Sequence, residues 1–100
     1  MAVVSMMRMS GDTDELIAKL GPITEIGREL APQHGGLGTI VARTDDGILA
    51  INLWSNEEGR QAMAQEPAVL EALSAAGLPA PAFEGYEVAE MHILEAAVTD

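Results

Sequence analysis

The stretch that decides the fold is "GTIVARTDDGILAINLW", Gly38 to Trp54. Two β-rich runs flank Asp45, Asp46 and Gly47. An Asp-Gly pair suits the positive backbone angles of a tight turn, so the stretch predicts a hairpin of two antiparallel strands. Toward the C-terminus, Ser55 is expected to cap a helix with Glu58 as its partner, since a hydroxyl and a carboxylate at that spacing satisfy two unpaired backbone N–H groups. That helix carries Met63. Pro67 breaks it or restarts it at a first turn, where the missing N–H is harmless, and Gly77 ends it. After the linker "LPAPA", the run "FEGYEVAEMHILE" from Phe83 to Glu95 alternates well enough to be a last strand.

Toward the N-terminus, residues 2–9 are rich in Val and Met and precede a turn-like "SGD", which predicts a buried first strand. Asp12 with Glu15 forms a capping-box pattern that opens a helix. Leu16, Leu20, Ile23 and Leu30, with Ile17 and Ile26 beside them, keep one face of that helix apolar as far as Ala31. Pro22 predicts a kink or short break at Gly21, and "PQHGG" ends the helix. The resulting order is βαββαβ in a single domain over residues 1–100. This is an α+β, ferredoxin-like arrangement, an antiparallel four-stranded sheet with two helices on one face.

Composition narrows the partners. Sixteen acidic residues against five Lys+Arg give a net charge of -11 and leave no basic patch for phosphates or anionic lipid, so neither nucleic acid nor a membrane is an expected partner. The chain has no cysteine, which removes disulfides, thiolate catalysis and cysteine metal sites together. The start "MAVVSMMRM" has neither the leading positive charge nor the apolar length of a signal peptide or membrane span, and the expected location is cytoplasmic.

Both faces of the sheet carry apolar weight. In the third strand Leu49, Ile51 and Leu53 point one way and Ile48, Ala50, Asn52 and Trp54 the other. Two helices can cover only one face, so a homodimer is expected to cover the second, taken here as the face of Ile48, Ala50, Asn52 and Trp54.

The βαββαβ order, the hairpin ending in "NLWSNEE" and the proline-broken second helix resemble the dimeric α/β-barrel superfamily, especially its antibiotic-biosynthesis-monooxygenase-like members, over nearly the whole chain. The resemblance implies two sheets meeting face to face in a homodimer, a dimeric α/β barrel, with a small pocket between each sheet and its helices. The quinone-forming oxygenases of that family need no metal or flavin, because an electron-rich phenolic substrate itself supplies electrons to oxygen. The protein contributes a dry pocket, hydrogen bonds to the phenolate and a proton acceptor. Their motif places Asn four residues before a Trp at the end of strand three, an aromatic six residues after that Trp, and an Arg in helix two. Trp54 matches the Trp, whereas Ala50, Arg60 and Leu70 occupy the other positions. Asn52, two residues from Ala50 and on the same face, is the candidate stand-in. The haem-degrading relatives would need an axial His where this chain has Leu73 and a Trp where it has Met63, so haem is not expected.

The candidate catalytic residues are therefore Asn52 and His92, the latter in step with Glu90 on the expected last strand. Trp54, Arg60 and Met63 are the candidate substrate-binding set. Trp54 is expected to be chiefly structural, closing the junction between strand three and the next helix. His34 is expected to meet unpaired carbonyls at the end of helix one. No metal or other cofactor is expected, since the two histidines are distant and have no partners at ligand spacing. "HGGLG" follows a helix and precedes a strand, the reverse of a phosphate cradle. Two functions remain: cofactor-independent, monooxygenase-like oxidation of a small aromatic or polyketide-like metabolite, or a non-catalytic dimeric small-molecule-binding or accessory role. An open pocket holding at least two of the polar candidates would favour the first, and an interior filled with side chains the second.

Overall fold

The computed structural model describes residues 1–78 and 83–92. The strands are β1 (Val3–Ser10), β2 (Gly36–Thr44), β3 (Gly47–Trp54) and β4 (Phe83–Glu87), and the helices are α1 (Thr13–Leu30), α2 (Glu57–Ala64) and α3 (Pro67–Ala75). A 3₁₀ turn over Ala31–His34 follows α1. The four strands form one antiparallel sheet in the order β2-β3-β1-β4, the split arrangement expected from the sequence. No helix among the described residues is long and apolar enough to cross a membrane.

The central pair sets which side chains face inward. Val3, Ser5, Met7 and Met9 of β1 lie opposite Trp54, Asn52, Ala50 and Ile48 of β3. Met7, Met9, Ile48 and Ala50 pack against Leu16 and Leu20 of α1, and Val3 and Trp54 pack against Met63 of α2. The face of Ile48, Ala50, Asn52 and Trp54 is thus covered by the chain's own helices and is not the face left for a partner. Strand alternation cannot say which parity meets the helices, so β3 alone points to the wrong one. The uncovered face carries Val4, Met6, Leu49, Ile51 and Leu53, half-buried, with Ile40 57% and Tyr86 52% exposed. Tyr86 donates a hydrogen bond to Glu84 at 2.8 Å, and that carboxylate raises the pKa of the phenol.

Local chemistry departs from expectation along the chain. Gly47 is the first residue of β3, paired with Thr44, and the turn is Asp45-Asp46. Glycine is required there for close approach, because a Cβ would run into the Met9 carbonyl oxygen, and not for a positive φ. Asp12 caps α1 as expected, its carboxylate accepting from the Glu15 N–H at 2.9 Å. The helix nevertheless runs unbroken through Pro22, which sits on its exposed side. Asn56, not Ser55, caps α2, accepting from the Gly59 N–H at 2.7 Å. Pro67 opens a separate helix, so the helical layer has three members where two were expected. β4 ends at Glu87; Ile93, Leu94 and Glu95 of the expected last strand, and residues 79–82 of the linker, lie outside the described residues.

Candidate functional site

A cavity of about 630 Å³ lies between the covered face of the sheet and the helices. Its wall is mostly apolar, and Leu37, Val41, Leu70 and Phe83 are exposed side chains that line it. The β-bulge between Gly36 and Gly38 releases Leu37 from the ladder and turns it to this space. An exposed apolar wall of this size in a small domain is typical of ligand sites and unusual for packing alone.

One cross-strand row interrupts the apolar floor. Reading across the sheet from β4 to β2, Gly85, Ser5, Asn52 and Thr39 are direct neighbours, and the last three line the cavity. Ser5 is 2% exposed, and its Oγ accepts a hydrogen bond from the Trp54 indole Nε1–H at 3.2 Å. A hydroxyl that accepts still has its own proton to donate. Thr39 donates to the Asn52 Oδ1 at 2.8 Å, which leaves the Asn52 amide N–H groups as donors without a protein partner among the described residues. The row therefore presents two hydrogen-bond donors, about 5 Å apart on adjacent strands, to anything lying on the floor.

Arg60 stands at the end of this row. Its guanidinium lies beside Gly85, where a Cβ would be in ordinary contact with Nε at 3.8 Å, and is held by the Glu57 carboxylate through Nε and Nη2. Hydrogen bonding from Arg60 lowers the Glu57 pKa, and the same bond raises that of Arg60. Met63 is buried against Trp54 and lines the cavity beside it. Asn52, Trp54, Arg60 and Met63 thus line one cavity.

His92 is not brought there. It lies beyond β4, its side chain is 78% exposed with Glu90 at 3.5 Å, and it is outside the cavity lining. His34 ends the 3₁₀ turn and meets no helix carbonyl through its ring; its Nε2 lies 3.1 Å from Glu66 Oε2, tying the turn to the start of α3. Among the described residues no group of three His, Asp or Glu comes together as a metal site. Sequence reasoning missed Ser5 and Thr39. Ser5 had a readable signal, as the one polar residue in phase with Val3 and Met7, whereas Thr39 gains meaning only from its register against Asn52.

Solved structures share this fold over almost their full length. A Chloroflexus aurantiacus protein provisionally named an antibiotic biosynthesis monooxygenase aligns with a TM-score of 0.69 at 20% identity, over 92% of this chain and 97% of its own. The chain has the antibiotic-biosynthesis-monooxygenase fold. A Deinococcus radiodurans protein provisionally given the same name aligns at 0.66 and 17% identity, over 96% and 100% of the two chains. SnoaB of Streptomyces nogalater, a cofactor-independent oxygenase, aligns at 0.62 and 13% identity, over 90% and 93%. At these identities the likeness is one of fold. No protein-family model and no curated protein matches the sequence. Within the monooxygenase fold the dual position of Trp54 is plain: it is 7% exposed, packs with Val3, Met63 and Leu30, and still forms part of the cavity wall.

Trp54→Ala should destabilise the protein by about 3–5 kcal/mol in chemical denaturation, and Trp54→Phe by much less. Ser5→Ala should cost about 1–3 kcal/mol, because it leaves a buried indole N–H unpaired. Unchanged stability of Trp54→Ala would show that the ring does not close this junction.

Proposed function

We propose that the protein binds a flat, electron-rich aromatic or polyketide-like metabolite in this cavity and oxidises it with molecular oxygen, without a metal or organic cofactor. The observation that carries the reading is the donor row of Ser5 and Asn52 on the floor of an open apolar cavity walled by Trp54. The fold shared with a cofactor-independent oxygenase supports it. In the balanced reaction a ring methylene and one molecule of oxygen give a ring ketone and one molecule of water. Both C–H bonds of the methylene and the O–O bond break, a C=O bond forms, and all the electrons that reduce oxygen come from the substrate. In this reading Asn52 and Ser5 donate to the substrate oxygen and stabilise negative charge that grows there. Trp54 and Met63 pack against its rings, and Arg60 closes the floor. The apolar wall excludes water, which strengthens each of those hydrogen bonds.

One observation favours the alternative, a non-catalytic binding protein. Among the described residues the lining contains no carboxylate, imidazole or amine to take a proton. Oxygen uptake with an anthrone separates the two. The oxygenase reading predicts one molecule of oxygen consumed per anthrone converted to quinone, with Asn52→Ala about 100-fold slower. Quenching of the sole tryptophan by the anthrone with no uptake above the uncatalysed rate would establish binding alone.

The same reading includes a homodimer in which a second copy covers the outer face of Val4, Met6, Ile51, Leu53 and Tyr86. Support comes from the apolar character of a face that no helix reaches among the described residues. Sedimentation should give a dimer at micromolar concentration, and Ile51→Lys should give a monomer. A monodisperse monomer for the unaltered protein would contradict the assignment.

A further inference from the structure

Helix α3 covers one side of the cavity without being packed into the core. It contributes Val69, Leu70 and Leu73 to the lining. α1 buries Leu16 and Leu20 and α2 buries Met63, whereas α3 buries no side chain fully. Val69, Ala72 and Leu73 are half-buried, and Leu70 is 52% exposed. Leu37 and Val41 of β2, which line the same cavity, are exposed too, so apolar surface on two separate elements meets solvent at its opening. An element with few buried apolar contacts opens and shifts at low cost in free energy.

The two ends of α3 are built differently from its middle. α2 ends at Ala64 and Pro67 opens α3, leaving Gln65 and Glu66 between them as a joint. Pro67 has no N–H to continue the α2 ladder, so the backbone bonds of α3 start afresh from the Glu66 carbonyl, which accepts from Val69 and Leu70. The Glu66 carboxylate lies 3.1 Å from His34 Nε2, and both side chains are partly buried. His34 is itself fixed in place. Its carbonyl approaches Gly59 so closely that a Cβ there would collide with it, and the next residue, Gly35, accepts from the Ser55 N–H at 2.8 Å. At the far end Gly77 takes a positive φ of 69°, and Leu78 packs against the core around Ile48. Each end is therefore a fixed point, and the length between them rests on α1 and the cavity.

Resting on the reading of this cavity as the ligand site, we propose that α3 is a cover that closes on the ligand, turning between the joint at Gln65 and Glu66 and the turn at Gly77, with the His34–Glu66 pair holding its pivot. Closure carries Leu70 inward and buries it against the ligand. The apolar surface that Leu70 and Leu37 leave exposed in the open form drives the movement, which also removes water from the wall. Neither His34 nor Glu66 lines the cavity, so their effect on a ligand passes through α3.

Hydrogen exchange of the full chain, followed by NMR with and without 2-naphthol, tests this. In the unliganded protein the amides of residues 70–75 should be about 100-fold less protected than the most protected amides of α1 and β3, because α3 opens by itself. Equal protection would contradict a separate moving element while leaving the cavity as a ligand site. With free 2-naphthol at about ten times its dissociation constant, read from quenching of the sole tryptophan, protection of residues 70–75 should rise about tenfold. Quenching with no change in α3 would show that the ligand enters without closure and would overturn the proposal. His34→Ala should weaken 2-naphthol binding about fivefold, as should Glu66→Ala, with the double variant no weaker than either. Unaltered binding in both single variants would overturn the assignment of the pivot to this pair. Failure of 2-naphthol to bind the unaltered protein would overturn the cavity reading and the proposal with it. The exchange comparison on the unaltered protein is independent of whether any variant folds.

Discussion

The antiparallel register between β1 and β3 is the constraint on which the rest depends. With Ser5 opposite Asn52, the inner face receives Val3, Met7, Met9, Ile48, Ala50 and Trp54 for the core and a single polar row for the floor of the cavity. A slip of β1 by one residue would send Val3, Met7 and Met9 outward and bring Val4, Met6 and Arg8 against the helices. The hydrogen bond from Trp54 to Ser5 ties the two strands together near one end, and the approach of Gly47 to the Met9 carbonyl does so at the other.

The open cavity costs stability. A chain of this size buries only about 60–70% of its unfolded surface, and close-packed interiors normally leave few voids larger than a water molecule. Here Leu37, Val41, Leu70 and Phe83 stay exposed around an open space that longer side chains at Ala50, Ala31 or Ala64 would narrow. Buried packing is concentrated at two ends, around Ile48 with Leu16 and Leu20, and around Trp54 with Val3 and Met63. Between them, the part of the sheet where Asn52 and Thr39 lie is left open to the cavity. In the proposed function the two faces divide the work, the inner one for the ligand and the outer one for a second copy.

The element order is legible in the sequence because its signals are local: the Asp12 cap, the hairpin around Asp45-Asp46 and the restart at Pro67. That Trp54 and Asn52 share a face is legible because β3 alternation puts them there, and both line the cavity. What alternation lacks is an absolute parity, and the inner and outer faces are exchanged when it is used alone. Cap identity is also open, since Ser55 and Asn56 are both good capping residues and only the backbone decides between them. Ser5 and Thr39 acquire a role through partners 47 and 13 positions away, Asn52 in both cases, and such pairings follow from strand register rather than from any motif. His92 belongs to an alternating run, but β4 ends at Glu87, well before that run is complete.

In the proposed function the helix-covered face, not the outer one, receives the ligand. Nitrogen-15 NMR of the labelled protein titrated with 2-naphthol tests it most directly, because the chain has a single indole N–H and few side-chain amides. The Trp54 indole signal and the Asn52 side-chain amide pair should shift together with one dissociation constant, while the backbone signals of Val4, Met6 and Ile51 stay in place. Shifts confined to Val4, Met6 and Ile51, with Trp54 and Asn52 unmoved, would contradict it.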